Sequence, residues 1–425
     1  DSVEITITGT DGTTAVSSLV VDDLGTDGLT PSSVKIESDL GAIQSDADLR
    51  SIEIDHEADV GTITVGDGSG SIESLSLTGG DVTGDPVEVN ADVGTIETGR
   101  FEADLIINGD VGTIDVGGVT IDADFTGDLT ISGDLERMTV SDDFEGALHV
   151  GGDAGELSAG DDFKGDGAIT IDGDLGSINA GDAMTKDISV GGDAGSISAG
   201  GTVSGDISVG EDLGSFNADH ATGDLSVAGN AGSVTIDGSG SNADFRGDLF
   251  VGGDLTTLDV ADDVEGSVTV NGNAGTLSAG DDFKGDGSVT IGGNLHSMSA
   301  GDRIAVDVSG GIDVKSISAP SMTGNLTVGD DLSSLNVGDM QGTITGGSDH
   351  NWMSTSDSGE TISTGDRNDD IRSNGGDDVI DAGSGNDKVR SGTGDDTVSA
   401  GKGNEWVEGG AGDDTLDGGK GRDTV

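Results

Sequence analysis

Residues 190–229 read VGGDAGSISAGGTVSGDISVGEDLGSFNADHATGDLSVAG. Short apolar alternations, SIS, DIS, SFN and DLS, recur about every 9–10 residues, and two of them make a unit of about 19–21 residues. Each alternation suits a strand of about three to five residues. Turns such as GGD, AGD and SGD separate them; Gly supplies positive φ and Asp caps the tight turn. No helix-length 3.6-residue periodicity is present. A strand this short cannot stand alone, but it can stack in parallel on its copy one unit later, at about 4.7–4.9 Å. The predicted fold is therefore all-β, an elongated parallel β-solenoid with coils of about 20 residues. An antiparallel two-sheet array of hairpins is the alternative, and the regular period favours the solenoid. About 340 residues at about 20 per coil make roughly 17 coils, or about 80 Å at the usual strand spacing.

A longer repeat contains these units. LSAGDDFKGDG stands at Leu157–Gly167 and again at Leu277–Gly287, an offset of 120 residues. The same offset relates ADFTGDL at Ala123 to ADFRGDL at Ala243, and ADVGTIETG at Ala91 to EDLGSFNAD at Glu211. The expected organisation is a degenerate solenoid block at 1–108, two full blocks at 109–228 and 229–348, and a distinct tract at 349–425.

Composition narrows the function. The chain of 425 residues has 17 Lys and Arg against 83 Asp and Glu, a net charge of −66. Nucleic acid as a partner is excluded, because a phosphate backbone needs cationic side chains. Anionic membrane surfaces are disfavoured for the same reason, and no run of about 18 apolar residues suits membrane insertion. Zero Cys removes disulfides, zinc thiolates and thiol nucleophiles. Two Trp, eight Phe and no Tyr are too few aromatics for an ordinary enzyme core. The chain opens at Asp1 in a strand-like VEITIT and stops at Val425 inside a repeat, so it reads as a portion of something longer.

From Thr355 the period becomes nine without slippage: TSDSGETIS, TGDRNDDIR, SNGGDDVID, AGSGNDKVR, SGTGDDTVS, AGKGNEWVE, GGAGDDTLD and a truncated GGKGRDTV. The sixth position holds Glu360, Asp369, Asp378, Asp387, Asp396, Glu405, Asp414 and Asp423. The eighth holds Ile362, Ile371, Ile380, Val389, Val398, Val407, Leu416 and Val425. Residues two apart on a short strand share a side, so acid and apolar residue face the same way.

This tract resembles the RTX, or haemolysin-type, calcium-binding repeat, G-G-x-G-x-D-x-U-x. The resemblance implies a calcium-binding β-roll with two nonapeptides per coil and Ca2+ in the turns. It implies as ligands the sixth-position acids Asp369, Asp378, Asp387, Asp396, Glu405, Asp414 and Asp423, together with glycine-turn carbonyls, oxygen donors that suit a hard cation. Alternate turns lie on opposite edges, giving one ladder of Asp369, Asp387, Glu405 and Asp423, with Glu360 as a candidate first rung, and a second of Asp378, Asp396 and Asp414. Departures from the pattern are Glu405 in place of Asp, with Trp406 after it, Arg367 in place of the fourth-position Gly, and a degenerate first repeat around Ser358.

Other chemistry is thinly represented. The acids of GDD at Gly160–Asp162 and Gly280–Asp282 are either further cation ligands between coils or solvated turn caps. His56, His149, His220, His296 and His350 are scattered, and none pairs at metal-ligand spacing. No nucleophile elbow or P-loop is apparent. Carboxylates alone would permit glycosidase chemistry, but the aromatic cleft lining such enzymes need is missing. Thr holds no fixed column, which argues against an ice-binding face.

The expected function is a secreted calcium-binding structural protein of the cell surface or extracellular matrix, self-associating into filaments, a sheath or a surface-layer array, and not an enzyme. The stalk of a large RTX adhesin is the alternative, and a β-helical carbohydrate-active enzyme a more distant one. Cell-surface polysaccharide is a further candidate partner. The RTX resemblance implies type I secretion.

Overall fold

A computed structural model describes residues 4–8, 19–21, 32–37, 40–45, 48–54, 60–65, 70–77, 86–117, 123–238, 243–348, 351–355 and 357–425. His56, His350 and parts of the N-terminal block lie outside the described residues. The chain divides into two compact units, Asp1–Asp212 and Leu213–Val425. Each is a parallel β-solenoid, with about 19 residues per coil and no helix among the described residues. The parallel pairing excludes the hairpin array.

In the first unit one coil carries three parallel columns. A six-residue strand such as Leu135–Val140 pairs with Val111–Val116 below and Ala154–Ala159 above. A three-residue strand such as Leu148–Val150 pairs with Leu129–Ile131 and Ile169–Ile171. Between them a single residue makes a bridge, and this column runs Phe101, Phe125, Phe144, Phe163, Met184, Val203. The period-two alternation aims Ile114, Met138, Leu157, Ile178 and Ile197 inward, and each is fully buried. The Phe rings stack along the axis at centroid distances of 5.0, 5.3 and 5.8 Å. Such pairs add about 0.5–1.5 kcal/mol each beyond the area they bury.

The turn acids form a ladder of their own. Asp110 Oδ1 accepts the N–H of Asp134 at 3.0 Å, Asp134 Oδ1 that of Asp153 at 2.9 Å, and Asp153 Oδ1 that of Asp174 at 2.9 Å. Each carboxylate thus satisfies a backbone donor of the coil that follows it. The other side of these Asp residues meets water, which explains how one turn type is repeated so often without a core penalty.

One buried charge has no counterpart in the sequence reading. Lys186 is 1% exposed, and its Nζ donates to the carbonyls of Glu145 at 2.7 Å and Gly167 at 3.0 Å. The turn from Phe163 to Ile169 is two residues longer than that from Phe144 to Leu148, and Gly165 takes φ +96° to accommodate it. The amine sits beneath that wider turn, and burial lowers its pKa to about 8.

The second unit repeats this plan and carries it into the nonapeptides. The short-strand column runs through Leu326–Val328, Thr343–Thr345, Thr361–Ser363 and Val379–Asp381 without leaving parallel register. The other column runs through Trp352–Ser354, Asp370–Arg372, Lys388–Thr393 and Trp406–Ala411. Every step in this tract is 18 residues, two nonapeptides per coil, as between Ile362 and Ile380. The eighth-position residues Ile362, Ile371, Ile380, Val389, Val398 and Val407 are at most 3% exposed.

Candidate metal centre

The nonapeptide turn begins with a buried small residue. Thr364 donates its hydroxyl to the carbonyl of Ala382 at 3.1 Å, Ser373 to that of Ser391 at 2.8 Å, and Ser391 to that of Gly409 at 2.9 Å. The second position then takes a left-handed backbone, as at Gly383 with φ +84° and Gly401 with φ +95°. Asn374 occupies the same place at φ +68°, a conformation Asn tolerates. Arg367, the departure at the fourth position, adopts φ +65°, so the turn survives there despite the side chain.

At Gly403 the fourth position has a further reason to be Gly. A Cβ on Gly403 would lie 1.4 Å from the carbonyl oxygen of Gly385 and 2.4 Å from Glu405 Oε1. Gly403→Ala is therefore expected to open that rung. A calcium titration followed by Trp fluorescence should show its midpoint moved at least tenfold upward; an unmoved midpoint would mean that the close approach is dispensable.

The sixth-position acids turn inward. Asp369, Asp378, Asp387, Asp396 and Glu405 are at most 3% exposed, whereas Asp414 and Asp423 are half-buried. Their carboxylates are rungs between coils. Asp378 Oδ1 accepts the N–H of Glu360 at 2.8 Å, Asp387 Oδ1 that of Asp369 at 2.9 Å, and Asp396 Oδ1 that of Asp378 at 3.0 Å. Asp414 Oδ1 and Asp423 Oδ1 accept from Asp396 at 3.1 Å and Glu405 at 3.3 Å. The donor precedes the acceptor by one coil, the reverse of the solenoid's turn ladder.

These bonds correct one expectation. Glu360 heads the ladder of Asp378, Asp396 and Asp414, not that of Asp369. Same-edge turns are 18 residues apart, and 378 minus 18 is 360, whereas 369 minus 18 is Asn351. Asn351 indeed donates its N–H to Asp369 Oδ1 at 2.7 Å.

The second oxygens show what the cradle accepts. Asp378 Oδ2, Asp387 Oδ2, Asp396 Oδ2 and both Glu405 oxygens are buried with no hydrogen-bond partner. Leaving a buried acceptor unmade costs about 1–3 kcal/mol, and more when it is charged. Among the described ion pairs, no Lys or Arg reaches these four residues. The solenoid's acids differ: Asp143 and Asp263 pair with Lys164 and Lys284, and Asp244 with Arg246 at 2.7 Å. Without a cation the nonapeptide carboxyls resist ionisation. Burial pushes Asp387 up to about 6, assisted by the charge on Asp369. Burial, and then the neighbouring carboxyls of Asp423 and Asp387, push Glu405 up to about 7. Burial also raises Asp378, against hydrogen bonds from Glu360 and Ser373. Stacked, dry, oxygen-only donors lacking a counter-charge fit a hard divalent cation.

The fifth position was not singled out from sequence, and it has a role. Asn386 and Asn404 donate their N–H groups to Asn368 Oδ1 at 2.6 Å and Asn386 Oδ1 at 2.9 Å. Asp395 and Asp413 do the same to Asp377 and Asp395, each at 2.8 Å. This exposed Asx ladder continues the solenoid's turn chemistry beside the inward acid ladder. Asn or Asp at residues 368, 377, 386, 395, 404 and 413 was the available signal. Of the other singled-out residues, His149 Nε2 stands 4.0 Å from Asp172, and His220 Nδ1 accepts the N–H of Asp244 at 3.3 Å. Neither joins the nonapeptide ladders.

Residues 354–389 and 390–425 each match the family model of the RTX calcium-binding nonapeptide repeat in four copies. The C-terminal tract is thus a run of RTX repeats, and repeats of this type bind Ca2+. No curated protein and no solved structure matches the chain.

The ligands are not equivalent. Asp396→Ala removes both a candidate cation ligand and the acceptor for the Asp378 N–H. Glu405→Ala removes a candidate ligand and relieves repulsion with Asp423 and Asp387. Isothermal titration should find the greater loss of calcium affinity in Asp396→Ala; equal losses would refute this ranking.

Proposed function

We propose that this protein is a calcium-dependent structural component of the cell surface or extracellular matrix, whose copies self-associate into filaments, a sheath or a surface-layer array. RTX repeats and a β-solenoid fit a secreted, Ca2+-binding structural protein, and such repeats are typical of type I secretion substrates. The observation that carries the reading is the unbroken register from solenoid to nonapeptides at Leu326–Val328, Thr343–Thr345 and Thr361–Ser363. A calcium-gated module is built in series with one whose turn acids have their own donors. At low calcium the unneutralised ladders oppose folding; outside the cell, binding free energy becomes folding free energy. The same calcium screens a chain of net charge −66 and bridges its exposed acids to those of a neighbour. On this reading the protein performs no catalysis.

One feature favours a role in holding polysaccharide, as an adhesin stalk or carbohydrate-active protein would. In the second unit an open groove of about 690 Å³ is lined by Asp254, Asn273, Asn294, His296, Asp313 and Lys315 among others. Its lining has no Phe, Tyr or Trp, so the structural reading stands first.

Sedimentation and electron microscopy of the native chain, with calcium and with chelator, test the assembly. Ordered polymers are expected at millimolar calcium and monomers in chelator. A single monomeric species under both conditions would refute self-association and put the stalk reading ahead.

A further inference from the structure

We infer that the outer face of the long-strand column in the nonapeptide tract docks onto a second copy of this chain, in an acidic groove of that copy's first unit. The face carries both Trp of the chain and three of its 17 basic residues. Its strands pair in register, so Trp352, Asp370, Lys388 and Trp406 form one outward row, and Ser354, Arg372, Arg390 and Glu408 the next. Met353, Ile371, Val389 and Val407, between the rows, are buried. Trp352 and Trp406 are 42% and 36% exposed. Arg372 stands over the ring of Trp352 at 6.0 Å and Arg390 over that of Trp406 at 4.8 Å, which holds both indoles in place. Three cations crowd one acid: Asp370 lies 3.7 Å from Arg372, 3.5 Å from Lys388 and 3.8 Å from Arg390. Arg390 Nη1 is buried with no hydrogen-bond partner. Set against Asp370 and Glu408, the three cations leave the face a net +1 on a chain of −66. The short-strand column of the same tract, at Thr361–Ser363, Val379–Asp381, Thr397–Ser399 and Thr415–Asp417, has no Lys, Arg or aromatic residue. Exposed Trp and Arg held together are the composition of an interface centre.

Charge and spacing choose the occupant. In the first unit an open groove of about 470 Å³ is lined by Asp110, Asp134, Glu136, Asp153 and Asp174 and by no basic residue. The adjacent Arg137 is held by Glu156 at 3.0 Å. Each of the four Asp gives its Oδ1 to the N–H of the next coil and is otherwise exposed. Gly112, Gly155 and Gly176 leave the groove room for an indole. The four Asp span three coil steps, as Trp352 to Trp406 does, and each step is the parallel strand spacing of about 4.8 Å. Arg372 and Arg390, one step apart, therefore meet carboxylates one step apart, in the forked geometry that suits a guanidinium. The corresponding groove of the second unit is a poorer receiver. There Asn273, Asn294 and His296 replace Asp153, Asp174 and Gly176, and Lys315 joins the lining. Calcium takes part by folding the tract that carries the face. Face and groove are different surfaces, so the contact is heterologous, and copies add in series or close as a ring.

The contact rests on the self-association proposed above, and sedimentation of the full chain at millimolar calcium separates the two. One variant alters the face: Arg372→Gln, Lys388→Gln, Arg390→Gln. A second alters the groove: Asp134→Asn, Asp153→Asn, Asp174→Asn, in which each Asn keeps an oxygen for the next coil's N–H. Each is expected to raise the concentration at which polymers form by at least about tenfold. Mixed together, the two variants are expected to stop at pairs, because one intact face meets one intact groove and nothing remains to extend. Asp254→Asn with Asp313→Asn, in the second unit's groove, is expected to leave the polymers unchanged; a loss there equal to the first groove's overturns the proposal, since acid density alone would then be the cause. A native chain that stays monomeric refutes self-association and this contact with it. Native polymers that neither variant weakens overturn this contact alone, and calcium bridges between acids would then hold the copies. If the face variant polymerises as the native chain does but loses retention on a carboxylated polysaccharide, the occupant is sugar, and the proposal is again overturned. An unmoved midpoint in the calcium titration of Trp fluorescence checks that the face variant folds. If it does not fold, the groove variant carries the test, because its residues lie outside the calcium tract.

Discussion

Chelating calcium is expected to unfold residues 355–425 while the solenoid before them stays folded. The tract stacks buried carboxylates one coil apart, and two such charges at about 5 Å repel by about 3 kcal/mol at an effective dielectric of about 20. Among the described ion pairs, none brings a Lys or Arg to Asp378, Asp387, Asp396 or Glu405 to offset this. The apolar filling is thin, essentially one Ile or Val per nonapeptide. The solenoid has a Phe column, two apolar residues per short strand, and turn acids that already hold backbone donors. Of the two Trp of the chain, Trp406 lies on a strand of the calcium tract and Trp352 on the strand paired with its first long-column strand, Asp370–Arg372, so both report on the tract. Hydrogen exchange should show the amides of Ile371, Val389 and Val407 losing protection in chelator, with those of Ile178 and Leu258 unchanged. Protection of the nonapeptide amides that persists in excess chelator would refute calcium-dependent folding.

In chelator, acid is expected to do part of what calcium does. Asp387 is raised to about 6 and Glu405 to about 7, and Asp378 moves in the same direction. Ordinary carboxyl values lie near 4. Folded groups with raised values hold protons more tightly than the unfolded chain does. Their contribution to stability is fully present below pH about 4 and is lost as pH rises through about 6 and 7. The calcium-free tract should therefore melt at a higher temperature at pH 5 than at pH 8, read by Trp fluorescence. With calcium the slope should reverse between pH 5 and 7, because protons compete with the cation for the same oxygens. The two profiles should cross. Asp387→Asn should flatten the calcium-free profile near pH 6. Stability that climbs with pH from 5 to 8 in chelator would contradict the burial of these carboxyls.

Periodicity made much of this architecture readable. A nine-residue repeat with acid at the sixth position and Ile or Val at the eighth places both on the inner side, as found at Asp378 and Ile380. The parallel stacking followed from strands too short to pair in any other repeated way. Three things were not readable. Glu360 was placed on the wrong edge, because a nine-residue period hides the fact that one coil is 18 residues and each acid pairs with its second neighbour. The Asx ladder at the fifth position looked like ordinary turn composition, since its significance lies in bonds between coils. Lys186 stands where the later block has Val306, and only the extra width of the preceding turn exposes carbonyls for its amine. Each miss concerns contact along the stacking axis, which a linear period describes only as an average.

The direction of the carboxylate rungs has a consequence for how sharply the tract responds. Each sixth-position Asp takes an N–H from the preceding coil, as Asp396 does from Asp378. A rung therefore exists only when two neighbouring coils are formed, and an ion held there stabilises both. Such a system is a one-dimensional chain of nearest-neighbour couplings, in which filling one place makes the next easier to fill. The Hill coefficient of the calcium response should then grow with the number of nonapeptide pairs, while the midpoint moves comparatively little. Repeat number becomes a setting of steepness, and an organism gains or loses switching sharpness by duplicating or deleting 18 residues at a time.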